Sequence, residues 1–112
     1  MNKLSVVIPA YNEEANIQNG CLEEVWKYLI KQNYDWEVVV VDDASSDNTL
    51  KLCREFAKSH NGIKILEEPH RGKGGSVIAG ILKTTGDMVL FTDMDQATPM
   101  NEFEKFIPKF KE

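Results

Sequence analysis

The 112-residue chain lacks the features of membrane-spanning and secreted proteins. Its two cysteines, Cys21 and Cys53, have no metal-binding or redox spacing, so we expect reduced thiols and a cytoplasmic location. No apolar run approaches the roughly 20 residues of a membrane span. The N-terminus has no apolar core followed by a cleavage site, as a signal peptide would. The composition therefore favours an intracellular globular protein.

Clusters of positive charge are also missing. The chain has 13 basic and 18 acidic residues, a formal net charge of −5, and its basic residues are scattered. Binding a nucleic-acid backbone requires a basic patch, so we expect no nucleic-acid partner. A small anion can still bind where a metal ion or a helix N-terminus supplies positive charge. At this length, we predict one domain spanning residues 1–112.

Apolar patterning predicts strands alternating with helices. The predicted strands are Leu4–Pro9, Glu37–Val41, Ile63–Leu66 and Met88–Thr92. The predicted helices run from about Glu14 to Gln32, from a cap at Ser46 or Asp47 to Asn61-Gly62, from about Ser76 to Thr85, and from Thr98-Pro99 through Phe103, Phe106 and Ile107 to Pro108. The segment Gly72–Gly75 is predicted to be a loop.

This alternation predicts an α/β fold: a Rossmann-like parallel sheet of order 3-2-1-4 with helices on both faces. In such sheets, ligands bind beyond the carboxyl ends of the strands where the strand order reverses, here between strands 1 and 4. The free edge of strand 4 also makes self-association into a homo-oligomer an expectation.

The sharpest chemical feature at this edge is the pair Asp93 and Asp95. Residues i and i+2 of an extended chain project to the same side. Two carboxylates so placed offer the hard oxygen ligands that Mg²⁺ and Mn²⁺ prefer. The alternative is a solvated turn in which Asp95 caps the next helix. At the end of the fourth strand, we favour the metal site.

Two further polar segments follow neighbouring strands. Asp42 and Asp43 come directly after four consecutive valines, and we favour Asp43 as an acceptor of hydrogen bonds from a nucleobase or ribose. Residues 71–75, Arg-Gly-Lys-Gly-Gly, open a helix where backbone amides favour anions, so Arg71 and Lys73 could bind a diphosphate. The alternatives are a helix-capping role for the acids and a glycine turn with surface cations. His70 is interpreted as ordinary loop surface.

Taken together, these motifs resemble family 2 glycosyltransferases of the GT-A fold. Residues 7–13, Val-Ile-Pro-Ala-Tyr-Asn-Glu, resemble the opening strand and turn of that family. Residues 40–47, Val-Val-Asp-Asp-Ala-Ser-Ser-Asp, resemble its second-strand nucleotide motif, and Asp93-Met94-Asp95 stands where the family has its D-x-D. Residues 71–75 together with residues 93–98, Asp-Met-Asp-Gln-Ala-Thr, make the chain most similar to the branch that glycosylates polyprenyl or dolichyl phosphate.

The resemblance implies a nucleotide-sugar site. Asp93 and Asp95 would hold Mg²⁺ or Mn²⁺ against the diphosphate of a UDP- or GDP-sugar, with Asp95 as the catalytic residue. The acceptor phosphate would attack the anomeric carbon with inversion, at the cytoplasmic face of a membrane to which the protein binds peripherally. The residues predicted to contact substrate are Pro9, Ala10, Tyr11, Glu13, Asp42, Asp43, Arg71, Lys73 and Asp93. Family members are longer, so we expect an N-terminal donor-binding part of a GT-A domain.

The sequence leaves two alternative functions open. The chain could be a nucleotide-sugar-binding fragment without turnover. It could also be a haloacid-dehalogenase-like phosphatase, because Asp93-Met94-Asp95 after an apolar strand matches that class locally and would make Asp93 a nucleophile.

Overall fold

A computed structural model of the chain describes residues 3–94. In chain order the elements are β1 (Lys3–Ala10), α1 (Glu14–Gln18), α2 (Cys21–Leu29), β2 (Asp35–Asp43), α3 (Thr49–Ser59), β3 (Ile63–Glu68), α4 (Gly72–Ile81) and β4 (Met88–Phe91). Asp95 and the helix predicted after Thr98-Pro99 lie outside the described residues.

The strands form a parallel sheet in the order β3-β2-β1-β4, which confirms the predicted fold class and strand order. Val6 of β1 is in register with Val38 on one side and with Leu90 on the other. The valine run of β2 is fully buried, as expected for a β-branched strand covered on both faces. β4 is an edge strand of the described sheet, and self-association through it stays a prediction.

Side chains alternate between the two faces of the sheet. Residues such as Val6, Ile8 and Val40 pack with Leu22 of α2 and Cys53 of α3. Val7, Val39 and Val41 point to the opposite face, where α4 packs. Helices therefore cover both faces, as predicted. Adjacent residues at the end of a strand consequently lie on different sides of the sheet.

The predicted helix over Glu14–Gln32 is two helices in the structure. Gly20 has a φ of 93°, and a left-handed residue cannot continue a right-handed helix. The apolar residues on either side of Gly20 keep helical spacing, which is why the pattern predicted one continuous helix. The break leaves α1 as a short turn directly after the end of β1.

The prediction of a loop at Gly72–Gly75 is also wrong, because these residues form the first turn of α4. Tertiary packing overrides the low helix propensity of glycine here. Gly80, further along α4, faces the sheet, and a Cβ there would lie 2.5 Å from Val7 Cγ1 and 2.9 Å from Val41 Cγ2. The absence of a side chain at Gly80 thus sets how closely α4 approaches β1 and β2.

The buried carboxylate of Glu37 joins the sheet to the turn before β4. It lies at the end of the sheet opposite to the predicted site residues. Glu37 accepts hydrogen bonds from Ser5 Oγ (2.6 Å) and from the Thr85 amide (2.7 Å). Its other oxygen lies 2.7 Å from Lys64 Nζ. Burial alone would raise the pKa of Glu37, but these partners outweigh it and lower the pKa to about 2.

Among residues 3–94, no helix has the length and apolar character needed to cross a membrane. The cytoplasmic and peripheral location stays a prediction.

We predict that Gly80→Ala destabilises the chain by about 1–3 kcal/mol, because the new methyl group would displace buried valines that have no free rotation. Gly74→Ala is the matched control, since a Cβ at Gly74 meets nothing within 4 Å and alanine favours helix by about 1 kcal/mol. Urea denaturation of both variants measures the difference. Equal stability of the two variants would contradict the close packing of α4.

Candidate functional site

A cleft of about 310 Å³ lies at the carboxyl-terminal edge of the sheet, where the strand order reverses. It is bounded by the end of β1, the end of β2, the start of α4 and the segment after β4. Its lining residues are Pro9, Ala10, Tyr11, Glu13, Asp43, His70, Gly72, Lys73, Ser76 and Asp93. Seven of the predicted substrate-contacting residues are in this set: Pro9, Ala10, Tyr11, Glu13, Asp43, Lys73 and Asp93.

The turn after β1 presents an aromatic ring to the cleft. Tyr11 is 49% exposed, and its ring centroid lies 5.1 Å from that of His70. The next residue, Asn12, has a φ of 53° and accepts a hydrogen bond from the Ser46 amide (2.8 Å), while its own amide donates to Ser45 Oγ (3.0 Å). The turn is thereby tied to the loop after β2, which fixes the position of Tyr11.

Asp43 connects the end of β2 to the start of α4. Its Oδ1 accepts a hydrogen bond from the Arg71 amide (2.6 Å), and its Oδ2 accepts one from the Gly72 amide (3.0 Å). No local side chain caps α4, so Asp43 supplies the cap from a neighbouring strand. Burial alone would raise the pKa of Asp43, but the two amides, helped by His70, hold it below its ordinary value.

His70, interpreted from sequence as ordinary loop surface, belongs to the cleft. Its Nδ1 lies 2.9 Å from Asp43 Oδ2, and its ring contacts Tyr11. Ser76, a fully buried residue of α4, also lines the cleft and is not among the residues predicted from sequence. The position of His70 beyond β3, next to the strand that ends in Asp43, was the available indication.

Two predicted substrate-contacting residues are not among those lining the cleft. Asp42 is 1% exposed and accepts a hydrogen bond from the Ser45 amide (3.2 Å). It follows Val41 directly, so strand alternation directs it to the face covered by α3, away from Asp43. Arg71 uses its backbone amide on Asp43, and its guanidinium Nε donates to Glu68 Oε1 (3.2 Å). A substrate role for Asp42 and Arg71 gains no support from these positions.

Asp47, which the sequence suggested as a helix cap, accepts a hydrogen bond from the Thr49 amide (2.9 Å) at the start of α3. Burial alone would raise its pKa, but bonds from Thr49 lower it overall. Asp47 therefore supports the start of α3 as predicted, although the residue at the N-cap position is Asn48.

The segment after β4 brings Asp93 into the cleft, where its carboxylate forms an ion pair with Lys73 Nζ. Both residues also line a smaller adjoining cleft of about 130 Å³, together with Pro9, Val77, Phe91 and Thr92. The Lys73–Asp93 pair therefore joins α4 to the end of β4 across the cleft.

The chemistry of Asp93 fits a divalent ion. It is a hard oxygen donor, its side chain is 43% exposed, and it borders space large enough for phosphate groups. Mg²⁺ sites commonly use one or two carboxylates and complete their shell with water and substrate phosphates. Within residues 3–94, no three His, Cys, Asp or Glu side chains cluster as a metal site. Asp95, the second predicted ligand and catalytic residue, lies outside that range.

Comparison with known proteins establishes the class. Residues 5–112 match the family described as Glycosyl transferase family 2, and the chain belongs to this family. An Asp93-dependent phosphatase therefore has no support.

Relatives of known name are dolichyl-phosphate beta-glucosyltransferases. The chain is 39% identical over 111 residues to a dolichyl-phosphate beta-glucosyltransferase of Trichomonas vaginalis, with 94% of this chain and 33% of the relative covered. It is 40% identical over 110 residues to the Saccharomyces cerevisiae dolichyl-phosphate beta-glucosyltransferase, covering 93% and 33%. The chain thus spans about one third of the length of these relatives.

Solved structures share the fold. A mannosyltransferase from Pyrobaculum calidifontis, in complex with GDP-Man and Mn²⁺, superposes with a TM-score of 0.72 and 33% identity, covering 84% of this chain and 28% of that one. Glucosyl-3-phosphoglycerate synthase from Mycobacterium tuberculosis, in complex with Mn²⁺, UDP and glucosyl-3-phosphoglycerate, gives 0.63 and 29%, covering 83% and 33%.

We predict that Asp43→Asn destabilises the chain by about 1–3 kcal/mol at neutral pH. Arg71 and Gly72 donate to different oxygens of Asp43, and asparagine replaces one of these oxygens with an NH2 group that cannot accept a hydrogen bond. The folded pKa of Asp43 is lowered, so its contribution is complete above the ordinary value of 3.8 and is lost as pH falls towards the folded pKa. The gap between wild type and variant should therefore shrink in acid. Urea denaturation at neutral and acid pH measures it, with the exposed Asp35→Asn as control. A gap that does not change with pH would contradict the carboxylate cap.

Proposed function

We propose that this chain binds the sugar-nucleotide donor of a family 2 glycosyltransferase that transfers glucose from UDP-glucose to dolichyl or another polyprenyl phosphate. The observation that carries the proposal is the cleft at the reversal of strand order, which brings Tyr11, Asp43, Lys73 and Asp93 together. The proposal includes UDP as the nucleotide, Mg²⁺ or Mn²⁺ as the metal and a polyprenyl phosphate as the acceptor. It also includes residues 1–112 as the donor-binding domain.

Each side of the cleft offers chemistry for one part of the donor. The exposed ring of Tyr11 and the ordered carboxylate of Asp43 suit a nucleobase and its ring N–H. Asp43 already accepts two amide hydrogen bonds, yet a carboxylate has about four acceptor positions and retains capacity for a ligand. On the far side of the cleft, Lys73 suits a phosphate oxygen of the diphosphate, and Asp93 suits the metal ion that binds the diphosphate.

Asp93 and Asp95 would hold Mg²⁺ or Mn²⁺, which when bound neutralises the charge of the nucleoside diphosphate leaving group. Lys73 would bind a phosphate oxygen as a point charge. Asp43 and the tie between Asn12 and Ser46 would keep the nucleotide side of the cleft in place. The glucosyl assignment rests on the names of the relatives, and the uridine and Mn²⁺ assignments on the glucosyl synthase that was solved with both.

We predict that UDP-glucose with Mn²⁺ raises the melting temperature of the chain. A ligand at 100 times its Kd stabilises a protein by about 2.7 kcal/mol, which is roughly 10 °C for a chain of this size. Asp93→Asn and Asp95→Asn should abolish the shift, whereas Asp35→Asn, at the opposite end of β2, should retain it. GDP-mannose should give a smaller shift. Equal shifts in Mn²⁺ and in EDTA, or none with either sugar nucleotide, would contradict the donor site.

A binding fragment without turnover is the second candidate, because the chain spans about one third of its relatives. The two are separated by incubating the chain with UDP-[¹⁴C]glucose, Mn²⁺ and dolichyl phosphate. Label extracted into the lipid phase, and absent with Asp95→Asn, shows transfer. A metal-dependent thermal shift without lipid label shows the binding fragment.

A further inference from the structure

The ion pair between Lys73 and Asp93 places a cation of the protein on the carboxylate that the proposed metal would use. Lys73 is the second residue of α4, and Asp93 follows β4, so the contact crosses the cleft. Both side chains are substantially exposed, at 67% and 43%. An ion pair this exposed is weak and exchanges its partners easily.

The charges lining the cleft explain why this pairing matters. Among the described residues that line it, Glu13, Asp43 and Asp93 are acidic, and Lys73 alone carries a fixed positive charge. The neighbouring cation Arg71 is held by Glu68 instead. Without a ligand, Lys73 therefore neutralises Asp93. A diphosphate entering alone would meet an excess of negative charge, and a metal ion entering alone would have to displace Lys73.

We infer that Lys73 is a placeholder cation that couples metal binding to donor binding. Lys73 pairs with Asp93 and thereby weakens the binding of a metal ion to that carboxylate. When the diphosphate enters, Lys73 moves to a phosphate oxygen and Asp93 becomes available to the metal. Each ligand then raises the affinity for the other, and this coupling is reciprocal. The inference rests on the proposed donor site and adds the order in which its charges exchange.

The test is Mn²⁺ binding, measured from the EPR signal of free Mn²⁺, with and without UDP. Lys73→Met should bind Mn²⁺ alone about threefold more tightly than wild type, the range expected for an exposed ion pair. It should bind UDP more weakly, and the factor by which UDP strengthens Mn²⁺ binding should fall at least threefold. Lys73→Gln is a second neutral variant, and Lys73→Arg should retain most of the coupling.

Lys83→Met is the matched control, because Lys83 is exposed just beyond the other end of α4 and its removal changes the net charge equally. It should leave both affinities and their coupling at the wild-type values. Unchanged or weaker Mn²⁺ binding by both Lys73→Met and Lys73→Gln would overturn the placeholder role, and so would an identical gain in Lys83→Met. If wild type itself shows no UDP-dependent Mn²⁺ binding, the proposed donor site fails and the inference fails with it. These results are therefore distinguishable.

Discussion

The cleft depends on one carboxylate, that of Asp43. It lies at the end of the buried strand β2 and accepts hydrogen bonds from the backbone amides of Arg71 and Gly72 at the start of α4, a helix that has no side-chain cap of its own. These hydrogen bonds place the start of α4, and with it Lys73, against the end of β2. A separate contact, between Asp43 Oδ2 and His70 Nδ1, holds His70 beside Tyr11. Asp43 is predicted from the sequence to contact substrate, and in the structure it also positions the start of α4 at the cleft.

Close packing places the rest of α4. Because Gly80 has no side chain, the helix lies directly on the valines of β1 and β2. At the far end of the sheet, Glu37 fastens the turn before β4 with bonds from Ser5 and Thr85. Asp43 thus fixes the start of α4, and Glu37 fixes the turn that follows its end. This turn leads into β4, which pairs with β1 and places Asp93 at the rim of the cleft.

Much of this architecture could be predicted because its causes are local in sequence. The β-branched strands and their alternation with helices predict a parallel α/β sheet. The order 3-2-1-4 is that of a mononucleotide-binding half, and it locates the edge at which the polar residues gather. The break at Gly20 and the helical start at Gly72 could not be predicted, since each depends on backbone geometry and on tertiary contacts. His70 was missed because its partner, Asp43, is distant in sequence. Asp42 was included because adjacency in sequence hides the fact that neighbours on a strand face opposite sides.

The central claim is that the cleft between Tyr11, Asp43 and Asp93 is where a nucleoside diphosphate binds. A crystal structure of the chain with UDP and Mn²⁺ tests it most directly. We expect the uracil between Tyr11 and Asp43, the metal on Asp93, and Lys73 turned from Asp93 to a phosphate oxygen. Nucleotide bound elsewhere on the chain, or a metal ion bound with UDP that does not contact Asp93, would contradict this.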